Sequence, residues 1–153
     1  MSNAFSCALR LLTRREHGAY ELVSKLAQKG YEDIDAHEAL LKCQQLGLQS
    51  DKRFVESICR VRIRQGYGPV RIRQELQGKQ LASELIDAAL QLEEDNWFEY
   101  AFAAWKKKYK ASEEITFVEL QKQKQFLLYR GFTSDIISKL FKQLPSLAAE
   151  PFI

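Results

Sequence analysis

Arg64-Gln65-Gly66-Tyr67-Gly68-Pro69-Val70-Arg71-Ile72-Arg73-Gln74-Glu75-Leu76 decides how this chain folds. It reads as the end of one helix, a rigid corner and the start of another. Gly66 supplies the positive φ that closes a helix. Pro69 fixes φ and needs no N–H partner, which suits the first turn of the next helix. Ile72 and Leu76 stack at i, i+4 on the side to be buried, and Arg71 and Arg73 point elsewhere. The corner therefore sets the angle between two helices and displays guanidinium groups beside it. That geometry grips an anionic or carboxylate-bearing surface and contains no reaction chemistry.

Outward from the corner, helical periodicity dominates, with no alternating strand pattern and no Asn-Gly or Asp-Gly hairpin turn. The spacing predicts helices over 5–14, 18–29, 33–46, 51–65, 69–78, 82–94, 96–109, 115–129 and 133–144. Gly30, Gly47, Gly66 and Gly131 stand where helices should stop. Ser50 or Asp51, Asp95 or Asn96, and Thr133 or Ser134 are candidate N-caps.

The helices repeat in threes. Leu26-Ala27-Gln28-Lys29-Gly30-Tyr31 parallels Leu76-Gln77-Gly78-Lys79-Gln80-Leu81 and Leu127-Leu128-Tyr129-Arg130-Gly131-Phe132. Each carries a Leu, a basic residue three positions on, and a large apolar residue two beyond. Apolar pairs then recur at i, i+5: Ile34 with Ala39, Leu85 with Leu90, Ile136 with Phe141. The expected fold is all-α, three tandem three-helix repeats over 5–47, 50–94 and 95–145. A repeat of this size is marginal alone, so neighbours should pack on each other in an elongated molecule able to curve.

The 153 residues are 46% hydrophobic and 28% charged, in the range of a folded protein. No apolar run approaches the roughly 20 residues that span a bilayer, so no membrane role is expected. Arg10, Arg14 and Arg15 interrupt the only early apolar stretch, which argues against a signal peptide. Cys7, Cys43 and Cys59 are odd in number and lack CxxC spacing, which fits a reducing cytoplasm and buried thiols. His17, at a turn, is expected at the surface or in a cap, and neither it nor His37 has metal-ligand spacing. There is no Walker A sequence, and the Gly66–Pro69 corner follows no strand. The reading is a protein that is not an enzyme, with no cofactor, metal or small-molecule substrate. Phe98, Phe102 and Trp105, at i, i+4, i+7, read as core, as do Phe126, Leu127, Tyr129 and Phe132. Tyr67 and Tyr109 are expected to be partly exposed.

Charge is polarised. Between Lys52 and Lys79 stand eight basic residues (Lys52, Arg53, Arg60, Arg62, Arg64, Arg71, Arg73, Lys79) and two acidic ones. Between Leu81 and Glu99 stand six acidic residues and no basic one. A second basic cluster follows at Lys106, Lys107, Lys108 and Lys110. Such polarity favours an oriented encounter with a partner. Arg53, Arg60 and Arg64 share a helical stripe at i, i+7, i+11. A solvated face is the plain reading of that stripe. Arg outnumbers Lys here, however, and guanidinium forks suit carboxylates and phosphates, which favours an interaction face. Candidate contact residues are Arg53, Arg60, Arg64, Tyr67, Arg71, Arg73 and Lys79.

These residues resemble a known family. Gly66-Tyr67-Gly68-Pro69 with Arg71-Ile72-Arg73-Gln74-Glu75-Leu76 resembles the signature segment of the bacterial regulatory protein RecX family. Asp51-Lys52-Arg53-Phe54-Val55 and Gln125-Phe126-Leu127-Leu128-Tyr129-Arg130-Gly131-Phe132 are similar to two further segments of it. The resemblance runs from about Ala8 to Leu144. Two departures stand out: Gly18 where relatives carry a better cap, and Gln80 where they carry glycine. The resemblance implies three tandem three-helix repeats and a cytoplasmic, monomeric modulator of the RecA recombinase. It further implies binding along the groove of the RecA–DNA filament, with suppression of strand exchange, ATP hydrolysis and LexA coprotease activity. Contact with single- or double-stranded DNA is implied for some relatives. Three-helix units also resemble helix-turn-helix modules, so direct DNA binding stands as the alternative reading.

Overall fold

Periodic apolar positions, glycine stops and polar starts build helices wherever the sequence predicts them. The computed structural model describes the backbone of residues 3–109 and 115–149 and the side chains as far as residue 144. Its helices are α1 (Asn3–Arg14), α2 (Ala19–Gln28), α3 (Asp33–Gln45), α4 (Asp51–Arg64), α5 (Pro69–Gln77), α6 (Ser83–Gln91), α7 (Trp97–Lys108), α8 (Phe117–Tyr129) and α9 (Ser134–Ala149). A 3₁₀ turn, Glu94–Asn96, leads into α7, and no strand occurs among the described residues. Each predicted helix is present, with ends displaced by a few residues.

The helices group into two compact units, Met1–Ile58 with Glu75–Ala89 and Cys59–Gln74 with Leu90–Ile153. In the first unit α1, α2 and α3 pack on one another. Their core is small-residue-rich: Ala4, Cys7, Ala8, Leu11, Leu22, Leu26, Ala36, Ala39 and Cys43. In the second unit α7 packs on α9 and α8 closes against both. Its core includes Trp97, Ala101, Trp105, Leu127, Phe132, Ile137, Leu140 and Leu144. The Trp105 indole N–H donates to Gln123 Oε1 at 2.8 Å, so the polar groups within that core are paired.

The repeat register holds at its key position: Leu26, Leu76 and Leu127 are all fully buried. Of the i, i+5 pairs, Ala39 and Leu90 are buried, Ile34 is 64% exposed and Leu85, Ile136 and Phe141 are half-buried; the buried pairs at matching positions are Ala36 with Ala39, Ile86 with Ala89, and Ile137 with Leu140. A three-residue step keeps both side chains on one helix face, whereas a five-residue step carries the second toward the opposite side. The same geometry corrects α7, where Trp97, Ala101 and Trp105 form the buried stripe and Phe98 and Phe102 are only half-buried. Tyr129, expected in the core, is 71% exposed.

Helix ends explain both sequence departures. Gly30 (φ 97°) and Gly131 (φ 99°) close the second helix of their repeats, each followed by a Schellman bond, Tyr31 N–H to Leu26 O and Phe132 N–H to Leu127 O. Gln80 occupies the equivalent place at φ 55°, alone in the left-handed region among the described non-glycine residues. Gly18 brings no side chain to the start of α2. Asp51 Oδ1, in the first turn of α4, accepts the Ala19 N–H instead at 2.7 Å. A Cβ at Gly18 would lie 3.1 Å from Phe54 Cδ2, so the glycine leaves room for the ring that a cap residue would crowd.

Ser50, not Asp51, caps α4, accepting the Arg53 N–H at 3.3 Å. Thr133 caps α9 through the Ile136 N–H at 3.3 Å. Neither Asp95 nor Asn96 caps α7; Asn96 Nδ2 donates to Glu93 instead, because the preceding 3₁₀ turn already carries the chain into the helix. His17 is buried rather than at the surface, with Nδ1 3.0 Å from Arg15 O and Nε2 3.3 Å from Lys25 Nζ. The Lys25 ammonium donates to Nε2, which assigns the neutral imidazole with its proton on Nδ1. The three cysteines are free and buried, and burial pushes the Cys43 thiol up.

Two outcomes follow. A left-handed backbone costs an L-residue about 1–2 kcal/mol, and the added freedom of unfolded glycine takes back part of that. Gln80→Gly should therefore stabilise the fold by roughly 0.5–1 kcal/mol in thermal or urea unfolding. Burial holds the His17 pKa below its ordinary 6.5. The unfolded chain then takes up a proton that the fold refuses, and stability falls as pH drops below about 6.5. Melting temperatures from pH 7.5 to 5.5 should decline more steeply for the native chain than for His17→Gln.

Candidate interaction site

The corner chosen by the sequence does more than join two helices. Gly66, at φ 90°, ends α4, and the Tyr67 N–H reaches back to Arg62 O at 3.0 Å. Two residues outside any helix, Tyr67 and Gly68, follow before Pro69 opens α5. In that gap the Gly68 N–H donates to Arg130 O at 2.7 Å and the Val70 N–H donates to Gly131 O at 2.9 Å. The corner is thereby paired, backbone to backbone, with the α8–α9 turn.

Both glycines are required by distance. A Cβ on Gly68 would lie 2.5 Å from the Gly131 carbonyl carbon, and a Cβ on Gly131 would lie 2.5 Å from Arg71 Cβ. Real Cβ atoms do not approach so closely. Two segments 63 residues apart in the numbering, each singled out by its sequence, thus form one interlocked element.

Side chains stack above this interlock in alternation. Arg71 lies over the Tyr67 ring at 4.3 Å from its centroid, and Arg130 over the same ring at 4.9 Å. Arg130 also lies over Phe126 at 5.1 Å, and Lys108 over Phe126 at 4.3 Å. The resulting row is Arg71, Tyr67, Arg130, Phe126, Lys108. Each cation–ring contact is worth about 0.5–1 kcal/mol at such exposure. Hydrogen bonds pin the guanidinium groups further: Arg130 Nη1 donates to Gln65 O at 2.9 Å, and Arg71 Nη1 donates to Tyr129 O at 3.4 Å.

Two shallow hollows flank the row. One, of about 360 Å³, is bordered by Arg64, Lys107, Lys108 and Arg130 around Ile63, Ala104 and Phe126. The other, of about 390 Å³, is bordered by Arg71, Lys108, Lys122 and Arg130 beside Tyr109 and Tyr129. No acidic side chain borders either hollow among the described residues. Such a surface attracts anions. No cluster of His, Cys, Asp and Glu able to hold a metal ion occurs among the described residues.

The sequence-chosen residues separate on this map. Arg64, Tyr67 and Arg71 come together at the interlock, with Arg60 exposed one turn before Arg64 on α4. Arg73 is half-buried on α5. Arg53 and Lys79 lie in the first unit. There Arg53 Nε donates to Glu16 Oε2 at 2.8 Å and its Nη2 to Gly47 O at 2.9 Å, so this guanidinium ties the α1–α2 and α3–α4 connections together. Arg130, Phe126 and Lys108 belong to the row, although sequence reasoning gave none of them a site role. The signal for Arg130 was present, since it holds the basic position of the third repeat motif. Lys110 lies outside the described residues.

Comparison with known proteins places this architecture. The RecX three-helix domain descriptions match in order, the first over residues 4–43, the second over 50–90 and the third over 94–141. The chain belongs to the RecX family. A regulatory protein RecX of Legionella pneumophila (strain Corby) is 56% identical over 95% of this chain and 97% of its own length. One from Vibrio campbellii is 44% identical over 86% of this chain and 84% of its own. The crystal structure of RecX from Lactobacillus salivarius superposes with a TM-score of 0.81 at 26% identity, covering 95% of this chain and 96% of that one. The all-α fold of three three-helix domains expected from the sequence is therefore the RecX fold. RecX proteins are regulatory proteins by name. No helix among the described residues is long and apolar enough to cross a membrane.

The interlock is testable by size alone. Gly131→Ala adds a Cβ against Arg71 and strains a left-handed residue, so it should cost about 2–5 kcal/mol in urea unfolding. Gly30→Ala should cost less, because nothing lies within 4 Å of a Cβ there.

Proposed function

We propose that this RecX-family chain binds the RecA–DNA filament and restrains it, lowering recombinase, ATPase and coprotease activity in DNA repair, recombination and the SOS response. It acts in the cytoplasm as a monomer and carries out no catalytic step. Kinship across nearly its whole length with proteins named regulatory protein RecX is the observation that carries this reading. Restraint needs only differential binding: a ligand that prefers one filament state shifts the population toward it. The contact face proposed comprises Arg60, Arg64, Arg71 and Arg73, with Tyr67 shaping the corner. Its guanidinium groups offer paired donors to carboxylates or phosphates of the filament.

RecA ATPase activity on single-stranded DNA should fall when the protein is added well below one copy per RecA. Arg60→Glu/Arg64→Glu should require at least about tenfold more protein for the same inhibition, with unchanged helical content. Full inhibition by that variant at native concentrations would remove these two arginines from the face, and an unaffected ATPase with the native chain would overturn the reading itself.

A further inference from the structure

In the first unit, polar groups dock the α1–α2 connection on the α3–α4 connection. The carbonyl of His17 accepts from Gln49 Nε2 at 3.1 Å. The same amide donates to Asp51 Oδ1 at 3.0 Å, and its Oε1 accepts from Gln44 Nε2 at 3.0 Å. Asp51 Oδ1 also accepts the Ala19 N–H at 2.7 Å. The backbone on either side of Gly18 is thus held by side chains about half the first unit away. His17 and Gln49 are 2% and 4% exposed, so water does not compete for these bonds.

The His17 ring sets a condition on this docking. Its Nδ1–H donates to Arg15 O at 3.0 Å, and its Nε2 accepts from the Lys25 ammonium at 3.3 Å. A second proton would have to go on Nε2, the atom that faces the ammonium. Two donors of like charge would then meet in a buried place. The carboxylates of this region are already engaged. Glu21 is held by Arg15 at 2.7 and 3.0 Å, Glu16 by Arg53 at 2.8 Å, and Asp51 by Ala19 and Gln49. Burial, first of all, keeps the ring neutral, and the charges of Arg15 and Lys25 act with it; the Nδ1 bond to Arg15 O and the charge of Glu21 act against it. Histidine is the side chain whose ordinary titration falls between pH 5 and 8, so this condition is met or broken by modest acidification.

We propose that His17 is an acid-operated latch of the first repeat: a solvent proton added at Nε2 expels the ring from beside Lys25 and releases the α1–α2 connection from Gln49 and Asp51, while the second unit stays folded. The latch is independent of RecA and confines the response to acid to one corner of the molecule.

The test is NMR of the full chain without RecA from pH 7.5 to 5.5, so its failure leaves the RecA reading untouched. Ring nitrogen shifts should show the proton on Nδ1 of His17 at pH 7.5, with His37→Gln identifying the signals. Amide exchange of Ala19 reads the latch, and that of Gly68 and Val70 reads the second unit, where both are bonded to the α8–α9 turn. A closed latch that refuses the proton and an open one that takes it at the ordinary 6.5 make the opening equilibrium rise about tenfold over this range. The Ala19 protection factor should therefore fall about tenfold, with Gly68 and Val70 keeping theirs. Lys25→Gln puts an acceptor where the ammonium stood, so the protonated ring keeps a partner and Ala19 should lose much less protection. Circular dichroism checks that this variant keeps its helices. Constant protection of Ala19 in the native chain, an equal fall at Gly68 and Val70, or a folded Lys25→Gln variant that opens as the native chain does would each overturn the latch.

Discussion

The close approach of Gly68 to Gly131 is the constraint on which the rest of the second unit depends. Two backbone hydrogen bonds join the α4–α5 corner to the α8–α9 turn, and neither glycine tolerates a Cβ. Backbone contact at this distance fixes position more tightly than side-chain packing, because no rotamer can relax it. Arg71, Tyr67 and Arg130 are attached to the two segments of this contact. Their stacking is a consequence of where the backbone puts them.

Like charges then sit side by side without a carboxylate among the described residues bordering the hollows. Ring faces and carbonyl oxygens supply partial negative charge in place of full counter-charges. This arrangement holds guanidinium and ammonium groups in place while leaving their attraction for anions uncancelled. Arg53, in the first unit, shows the opposite use of the same side chain. Its bonds to Glu16 and to Gly47 O neutralise it and commit it to joining connections. Net charge by segment could not separate these roles, since each arginine counts equally in it.

Much of the fold was legible because helices announce themselves locally. Glycine stops, the Pro69 start and the recurring Leu26, Leu76 and Leu127 gave the elements and the register. The errors have physical reasons. Tyr129 was assigned to the core by its neighbours Leu127 and Phe132, although its position on α8 turns it outward. His17 looked like a turn residue at the surface. Its burial depends on Arg15 O and Lys25 supplying polar partners, which no local pattern reveals.

The sequence by itself determined the all-α class, the threefold repetition, the corner and the excess of arginine around it. These are encoded by neighbours within a few residues, where helical geometry links position to face. Only the tertiary structure decided that Gly66–Val70 and Tyr129–Gly131 meet, that Arg130 and Lys108 stack beside Tyr67 and Phe126, and that Asp51 caps a helix begun 32 residues earlier. Those relations join segments far apart in the chain through backbone contacts a few ångströms long, and no local periodicity carries that information.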